Sequence, residues 1–340
     1  MNRKIKIDSD IRKAYTLPSN YYNKDSYYNN TLDKIFLNSF QLIMHEKQIR
    51  KRKKIPFMFL DGSINEPMLL TNNNKLRCIS NVCTHRAHLV CTEKDSKNAL
   101  RCRYHGRTFE YDGTIKSAPG FDEARNFPSK SDNLKNFPII SWNGFIFTSI
   151  NNNLKMQEYL DEIQSIVNWY PFENLIYDSE KSATYDINSN WAIYCENYLE
   201  GFHVPYVHKG LKKDIELLNY KTKLGNHFTL QKAKSKNRLD SFHKISDKHS
   251  DTYALYFWLF PNTMLNFYPW GISINVIEPT SINTTRVKFY SYPIKNHSQP
   301  NSGDSNLNTI ELEDQEVVKN VQIGVNSKTY KRGRYSPKNE

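Results

Sequence analysis

Cysteine and histidine recur in this sequence at spacings that suit metal binding. Cys83-Thr84-His85 sets a thiol and an imidazole on one short segment, and Cys102-Arg103-Tyr104-His105 repeats the pairing. Two such loops side by side offer two sulfurs and two nitrogens. Zinc accepts that set as Cys2His2. A [2Fe–2S] cluster accepts it too, when both cysteines bind one iron and both histidines the other. His88 is an extra imidazole that reads as loop surface. Cys78, Cys91 and Cys195 have no partner spacing and read as inert thiols. Five cysteines is an odd count, and the basic start Met1–Lys6 has no apolar stretch after it. A disulfide framework and an export signal are therefore not expected, and the chain reads as cytoplasmic.

A second group lies in Asn190–His208, where His203 and His208 flank Val204-Pro205-Tyr206-Val207. On a continuous helix, positions five apart point about 140° away from each other and share no metal. Pro205 lies between them and kinks or breaks a helix, which could swing His208 toward His203. Two histidines and one carboxylate with open positions make the ligand set of non-haem Fe(II) oxygenases. Asp314 is a candidate third ligand, because it shares a helical face with Val317, Val318 and Val321. A carboxylate on an apolar stripe is costly unless paired or metal-bound. The alternative is that Glu311, Glu313 and Asp314 simply answer the dipole at the start of that helix.

The elements that would position these groups fall into three stretches. Residues 1–48 read as an arm and then a helix through Leu32, Ile35, Phe36, Phe40 and Ile43, with Thr31 as its N-cap. Residues 49–152 contain short β-like runs: Pro56–Leu60, Met68–Thr71, Leu76–Ser80, Phe145–Ile150, and a hairpin at Thr108–Ile115 around Asp112-Gly113. They suggest a small antiparallel β domain. Residues 153–340 give helices at Met156–Trp169 and Tyr194–Val204, then strands at Phe228–Gln231, Ala254–Phe260, Thr263–Tyr268, Ile272–Ile277 and Arg286–Tyr292. A polar loop at His297–Asn308 precedes a closing helix at Thr309–Ile323. Strands between flanking helices argue an α+β fold.

The formal net charge of +12 raises the prospect of an acidic partner, most densely at Arg50–Lys54. Lysine and asparagine are frequent throughout, so the charge reads as a compositional bias. No apolar run is long enough for a membrane helix. Neither nucleic acid nor a membrane is expected as a partner.

Asn81–Arg86 and Cys102–Gly113 resemble the two cluster-binding loops of Rieske non-haem iron oxygenases. Arg107 departs from the pattern, since many members carry Trp there. Glu200-Gly201-Phe202-His203-(x4)-His208 is similar to that family's carboxylate-x-x-His-x4-His motif, and Glu313–Gly324 resembles the segment that carries the third iron ligand. The likeness runs from about Ala14 to Ser336. Glu at position 200, within Tyr198–Tyr206, resembles the branch acting on choline, glycine betaine and carnitine. Relatives usually continue through a further segment after the residue matching Asp314.

The resemblance implies a Rieske domain ligated by Cys83, His85, Cys102 and His105. It also implies a helix-grip catalytic domain, an antiparallel sheet covered by helices, holding mononuclear Fe(II) at His203, His208 and Asp314. Electrons would come from a separate flavin/iron–sulfur reductase, and O2 would be used to hydroxylate or N-demethylate a small substrate. Glu200 would bridge a ligating histidine to His85 or His105 of a neighbouring subunit in a homotrimer. The rival readings are an aromatic-ring dioxygenase alpha subunit, a Rieske electron-transfer protein and a zinc-dependent nucleic-acid binder. Aromatics at 253–270 (Tyr253, Tyr256, Phe257, Trp258, Phe260, Phe267, Tyr268, Trp270) suit an alkylammonium cation, or else simply sheet core.

Overall fold

The computed structural model describes residues 5–92, 99–296, 307–338 and 340. It divides into two compact units, Phe36–Gln157 and Met1–Ile35 with Glu158–Glu340.

Strands in the cysteine-bearing unit are short because Asn, Asp and Gly interrupt the apolar runs every few residues. Lys54–Phe59, Glu66–Asn72, Leu76–Ser80 and Asn136–Phe137 pair in that order as an antiparallel sheet. Leu100–Arg101, Thr108–Phe109 and Ile115–Ser117 form a second, smaller sheet. The hairpin between its last two strands turns at Gly113, whose φ is +89°. A Cβ there would come within 2.8 Å of the Leu134 carbonyl oxygen, so both conformation and space call for glycine. Leu69, Ile79, Val90, Cys91, Leu100, Phe109 and Leu134 pack into one buried cluster with Cys83 and Cys102.

The helix expected through Ile43 stops early. Helix α1 spans Asp25–Lys34 with Thr31 inside it rather than capping it, and Gln41–His45 is a strand. That strand pairs antiparallel with Phe145–Thr148. Phe36, Phe40 and Leu42 are buried. A short apolar run fits both periods, and here the pairing partner decides.

In the second unit a seven-stranded antiparallel sheet is formed among the described residues. Its strands are β1 (Asp178–Ile187), β2 (Lys221–Leu224), β3 (Phe228–Lys234), β4 (Thr252–Leu259), β5 (Thr263–Tyr268), β6 (Gly271–Ser281) and β7 (Thr284–Pro293). Their spatial order is β1-β7-β6-β5-β4-β3-β2. Helices α2 (Met156–Val167), α3 (Trp191–Tyr198), α4 (Val204–Val207) and α5 (Leu307–Val325) accompany it. Strands β1 and β2 were not expected. Both are edge strands rich in charged residues, so neither shows the apolar alternation that marks the central strands.

Two helices also differ from expectation. The helix expected at 194–204 ends at Tyr198. The buried stripe of α5 is Glu311, Gln315, Val318, Gln322 and Val325, while Val321 is 42% exposed. Three of those five are polar, which conceals the buried face from a hydrophobicity reading. Of the loop expected at 297–308, residues 297–306 lie outside the described residues.

Candidate metal centres and substrate cavity

The two Cys/His loops share one backbone design. Cys83 N–H donates to the His88 carbonyl (2.9 Å) and Ala87 N–H to the Cys83 carbonyl (3.0 Å). Cys102 N–H likewise donates to the Arg107 carbonyl (2.8 Å) and Gly106 N–H to the Cys102 carbonyl (3.1 Å). The fourth residue after each cysteine has a positive φ, +55° at Ala87 and +76° at Gly106. Both thiols are buried, and burial raises the Cys83 pKa, with the adjacent Cys102 thiol adding to it. The His85 and His105 rings lie 4.6 Å apart, centre to centre. Two neighbouring thiols with two neighbouring imidazoles make the donor set that a [2Fe–2S] cluster with mixed ligation takes. Arg107 is buried, its guanidinium stacked on Phe121 and Phe127 at 4.7 and 5.1 Å and donating to Thr84 Oγ1. His88 is exposed, and Cys78, Cys91 and Cys195 are buried and form no disulfide.

Asn190 caps α3 by accepting from Ala192 N–H, which starts the second site. The helix stops where Glu200 folds back, its carboxylate accepting from the backbone N–H groups of Phe202 and His203. Gly201 sits against Tyr220, whose ring a Cβ would meet at 2.6 Å. His203 and His208 then occupy the two ends of α4, with Pro205 in its first turn. Proline is tolerated there, so it opens this turn rather than breaking one. The departure from helix comes at His208, with φ −97° and ψ 76°. The two rings are 5.1 Å apart, centre to centre.

Asp314 of α5 completes the group. Its Oδ1 is 3.1 Å from His208 Nε2 and 3.6 Å from His203 Nε2. One ligand atom from each of the three residues falls within 4.8 Å of the others. Each is held from behind. Glu200 Oε1 lies 2.7 Å from His203 Nδ1, and Glu313 Oε2 lies 2.7 Å from His208 Nδ1. Asn197 Nδ2 donates to Asp314 Oδ1 at 2.7 Å. With both Nδ1 atoms committed to carboxylates, both Nε2 atoms are left for a metal. Burial disfavours a charged His208, but Asp314 and Glu313 outweigh it and raise its pKa. The two carboxylates thus favour positive charge at this place, and two imidazoles with one carboxylate suit Fe(II).

The sequence reading missed Glu313 as an orienting group and Asn197 altogether. Neither has a local signal, since each acts on a residue more than a hundred positions away.

The triad opens on a cavity of about 770 Å³, its mouth included, lined by Tyr198, Tyr220, Tyr256, Tyr268, Glu311 and Asn275 among others. Of the expected aromatics only Tyr256 and Tyr268 line it. Phe257 and Phe267 are fully buried elsewhere in the core.

Residues 39–137 match the family model for the Rieske [2Fe-2S] domain, and residues 176–340 match that for the ring hydroxylating alpha subunit catalytic domain. The chain belongs to the Rieske non-haem iron oxygenases. It is therefore an oxidoreductase that incorporates O2, with a Rieske cluster and a mononuclear iron as its cofactors. Among curated Rieske oxygenases it is 25% identical to choline monooxygenase of Arabidopsis thaliana, across 96% of this chain and 80% of that one. It is also 25% identical to the carnitine monooxygenase oxygenase subunit of Escherichia coli, across 94% and 87%. The solved structure of the quaternary ammonium Rieske monooxygenase CntA superposes with a TM-score of 0.78 at 22% identity, covering 97% of this chain and 92% of that one. Naphthalene 1,2-dioxygenase from a Rhodococcus species gives 0.75 at 15% identity, covering 94% and 84%. These structures share the fold.

Proposed function

We propose that this chain is the oxygenase component of a monooxygenase whose substrate is a small molecule bearing a methylated, positively charged nitrogen. The observation that carries this reading is the tyrosine wall beside the His203–His208–Asp314 group. Tyr198, Tyr220, Tyr256 and Tyr268 line one cavity with those ligands. A quaternary ammonium group donates no hydrogen bond, so aromatic faces are its natural partners, worth about 0.5–2 kcal/mol each. Of the relatives named above, choline monooxygenase and the carnitine monooxygenase oxygenase subunit act on such cations.

Iron and cluster supply the redox chemistry: one oxygen atom of O2 enters a substrate C–H bond and the other leaves as water, with two electrons and two protons taken up. Where that carbon is an N-methyl, the hydroxylated product loses formaldehyde and leaves the demethylated amine. This chain's residues set the stage. Glu200 and Glu313 fix the tautomers of His203 and His208, Cys83, His85, Cys102 and His105 hold the cluster, and Val204, Leu211, Phe289 and Ile310 give the cavity its apolar lining. Electrons come from a flavin/iron–sulfur reductase, and the working unit is a homotrimer. In it Glu200 links His203 to His85 or His105 of the neighbouring subunit.

The test is O2 uptake by the reconstituted protein with a generic reductase, across quaternary amines and aromatic acids. Uptake and a hydroxylated or demethylated product with a methylated ammonium compound are expected. Turnover of aromatic carboxylates alone would overturn the reading.

A further inference from the structure

Glu311 lies one helical turn before Asp314 on α5 and faces the same cavity. It is 7% exposed. Its carboxylate accepts from the Tyr194 hydroxyl and from Asn275 Nδ2 at 2.8 Å. The donors behind it are aligned. Tyr198 OH donates to Asn266 Oδ1 (2.6 Å), Asn266 Nδ2 donates to Asn275 Oδ1 (3.2 Å), and Asn275 then donates to Glu311. Each of these three bonds is donated toward the carboxylate, as suits an anion. Yet among the described residues Glu311 forms no ion pair. A buried anion with no cation is costly.

We propose that Glu311 is the counter-ion that selects a positively charged substrate in this cavity. The inference rests on the proposed substrate class and deepens it. Tyrosine faces accommodate a trimethylammonium head but also accept a neutral tert-butyl group of the same shape. A carboxylate separates the two, because Coulomb attraction acts on the charge alone. Burial pushes the Glu311 carboxyl up to about 7, against the hydrogen bonds of Tyr194, Asn275 and Gln315. The groups that face it are Tyr194 of α3, Tyr185 of β1, Tyr268 of β5 and Asp314 and Gln315 of its own helix. None of them is a cation. A permanent cation entering the cavity stabilises the ionised form, so binding near pH 7 releases protons to the buffer.

The test is calorimetric binding of choline and of its uncharged isostere 3,3-dimethyl-1-butanol to the iron-loaded protein, without O2 or reductant. Two buffers of different ionisation heat report protons released. Wild type is expected to prefer choline by at least about tenfold, with proton release. Glu311→Gln should bind the two ligands about equally, with the isostere's affinity nearly unchanged, and should release no proton. Glu311→Asp, which keeps the charge, should retain most of the preference. A Glu311→Gln protein that still prefers choline, or that weakens for both ligands alike, overturns the assignment and leaves the substrate class standing. A wild type that binds the isostere as well as choline overturns the assignment and the substrate class together.

Discussion

Glu313 offers a sharp test of the mononuclear site, because it would orient a ligand, His208, from outside the proposed ligand set. Its Oε2 lies 2.7 Å from Nδ1 of His208, whose ring is 2% exposed. A hydrogen bond to a charged acceptor contributes about 1.5–3 kcal/mol, and leaving a buried N–H unpaired costs about 1–3 kcal/mol. Glu313 itself is a third exposed, so water can partly replace it in Glu313→Ala. The net loss then falls near 1.4–2.7 kcal/mol, or about 10–100-fold in Fe(II) affinity, the range found for partners that orient ligating histidines. Glu313→Gln keeps an accepting oxygen but no charge and should fall between wild type and Glu313→Ala. The assay is anaerobic Fe(II) competition against a chromophoric chelator, with the visible spectrum of the cluster as an internal control. Unchanged iron affinity in Glu313→Ala, or simultaneous loss of the cluster spectrum, would refute the reasoning.

His203→Ala and His208→Ala should each remove the mononuclear iron while the cluster absorbance and its two irons persist, and Cys83→Ser should do the converse, as read by metal analysis and visible spectroscopy. Glu200→Gln should keep both sites filled and the cluster reducible, yet lower substrate oxidation by about tenfold or more, about 1.4 kcal/mol on the barrier; near-normal turnover would count against the bridging role. Glu196 is pushed up to about 7 by burial, although both its oxygens accept from the Tyr22 hydroxyl at 2.7–2.8 Å. The native state therefore binds a proton that the unfolded state has released, and stability present below about pH 4.5 drains away as pH rises toward 7. Urea unfolding should find wild type falling behind Glu196→Gln by about 1 kcal/mol more at pH 8 than at pH 6, and an equal gap at both would refute the shift.

What the sequence disclosed and concealed follows from how far apart the cooperating residues lie. Cys83-x-His85 and Cys102-x-x-His105 are local patterns, so the paired loops stood out before any fold was known. Thr263–Tyr268 has legible bounds because Asn262 and Pro269 flank a mostly apolar run. The outer strands Asp178–Ile187 and Lys221–Leu224 carried no such signal, since their solvent-facing edges select charge. Glu311, Gln315 and Gln322 form most of a buried stripe that hydropathy would assign to solvent. Their partners, Tyr194 and Asn275 for Glu311 and the Asn190 N–H for Gln322, come from other elements. Tyr256 and its neighbour Phe257 show the alternation of a strand: one lines the cavity while the other enters the core. Composition alone could not divide them.

Asp314 meets His208 across 106 residues of chain. A metal held by both is a clip on a long loop, and closing such a loop costs the unfolded chain substantial entropy. The site cannot exist until the last long helix has been made and has reached α4. The cluster loops, neighbours in sequence within one small unit, need no such wait. The two metals therefore belong to different moments in the life of the chain. One can be set as soon as its own small domain has been made, and the other waits until α5 has been made.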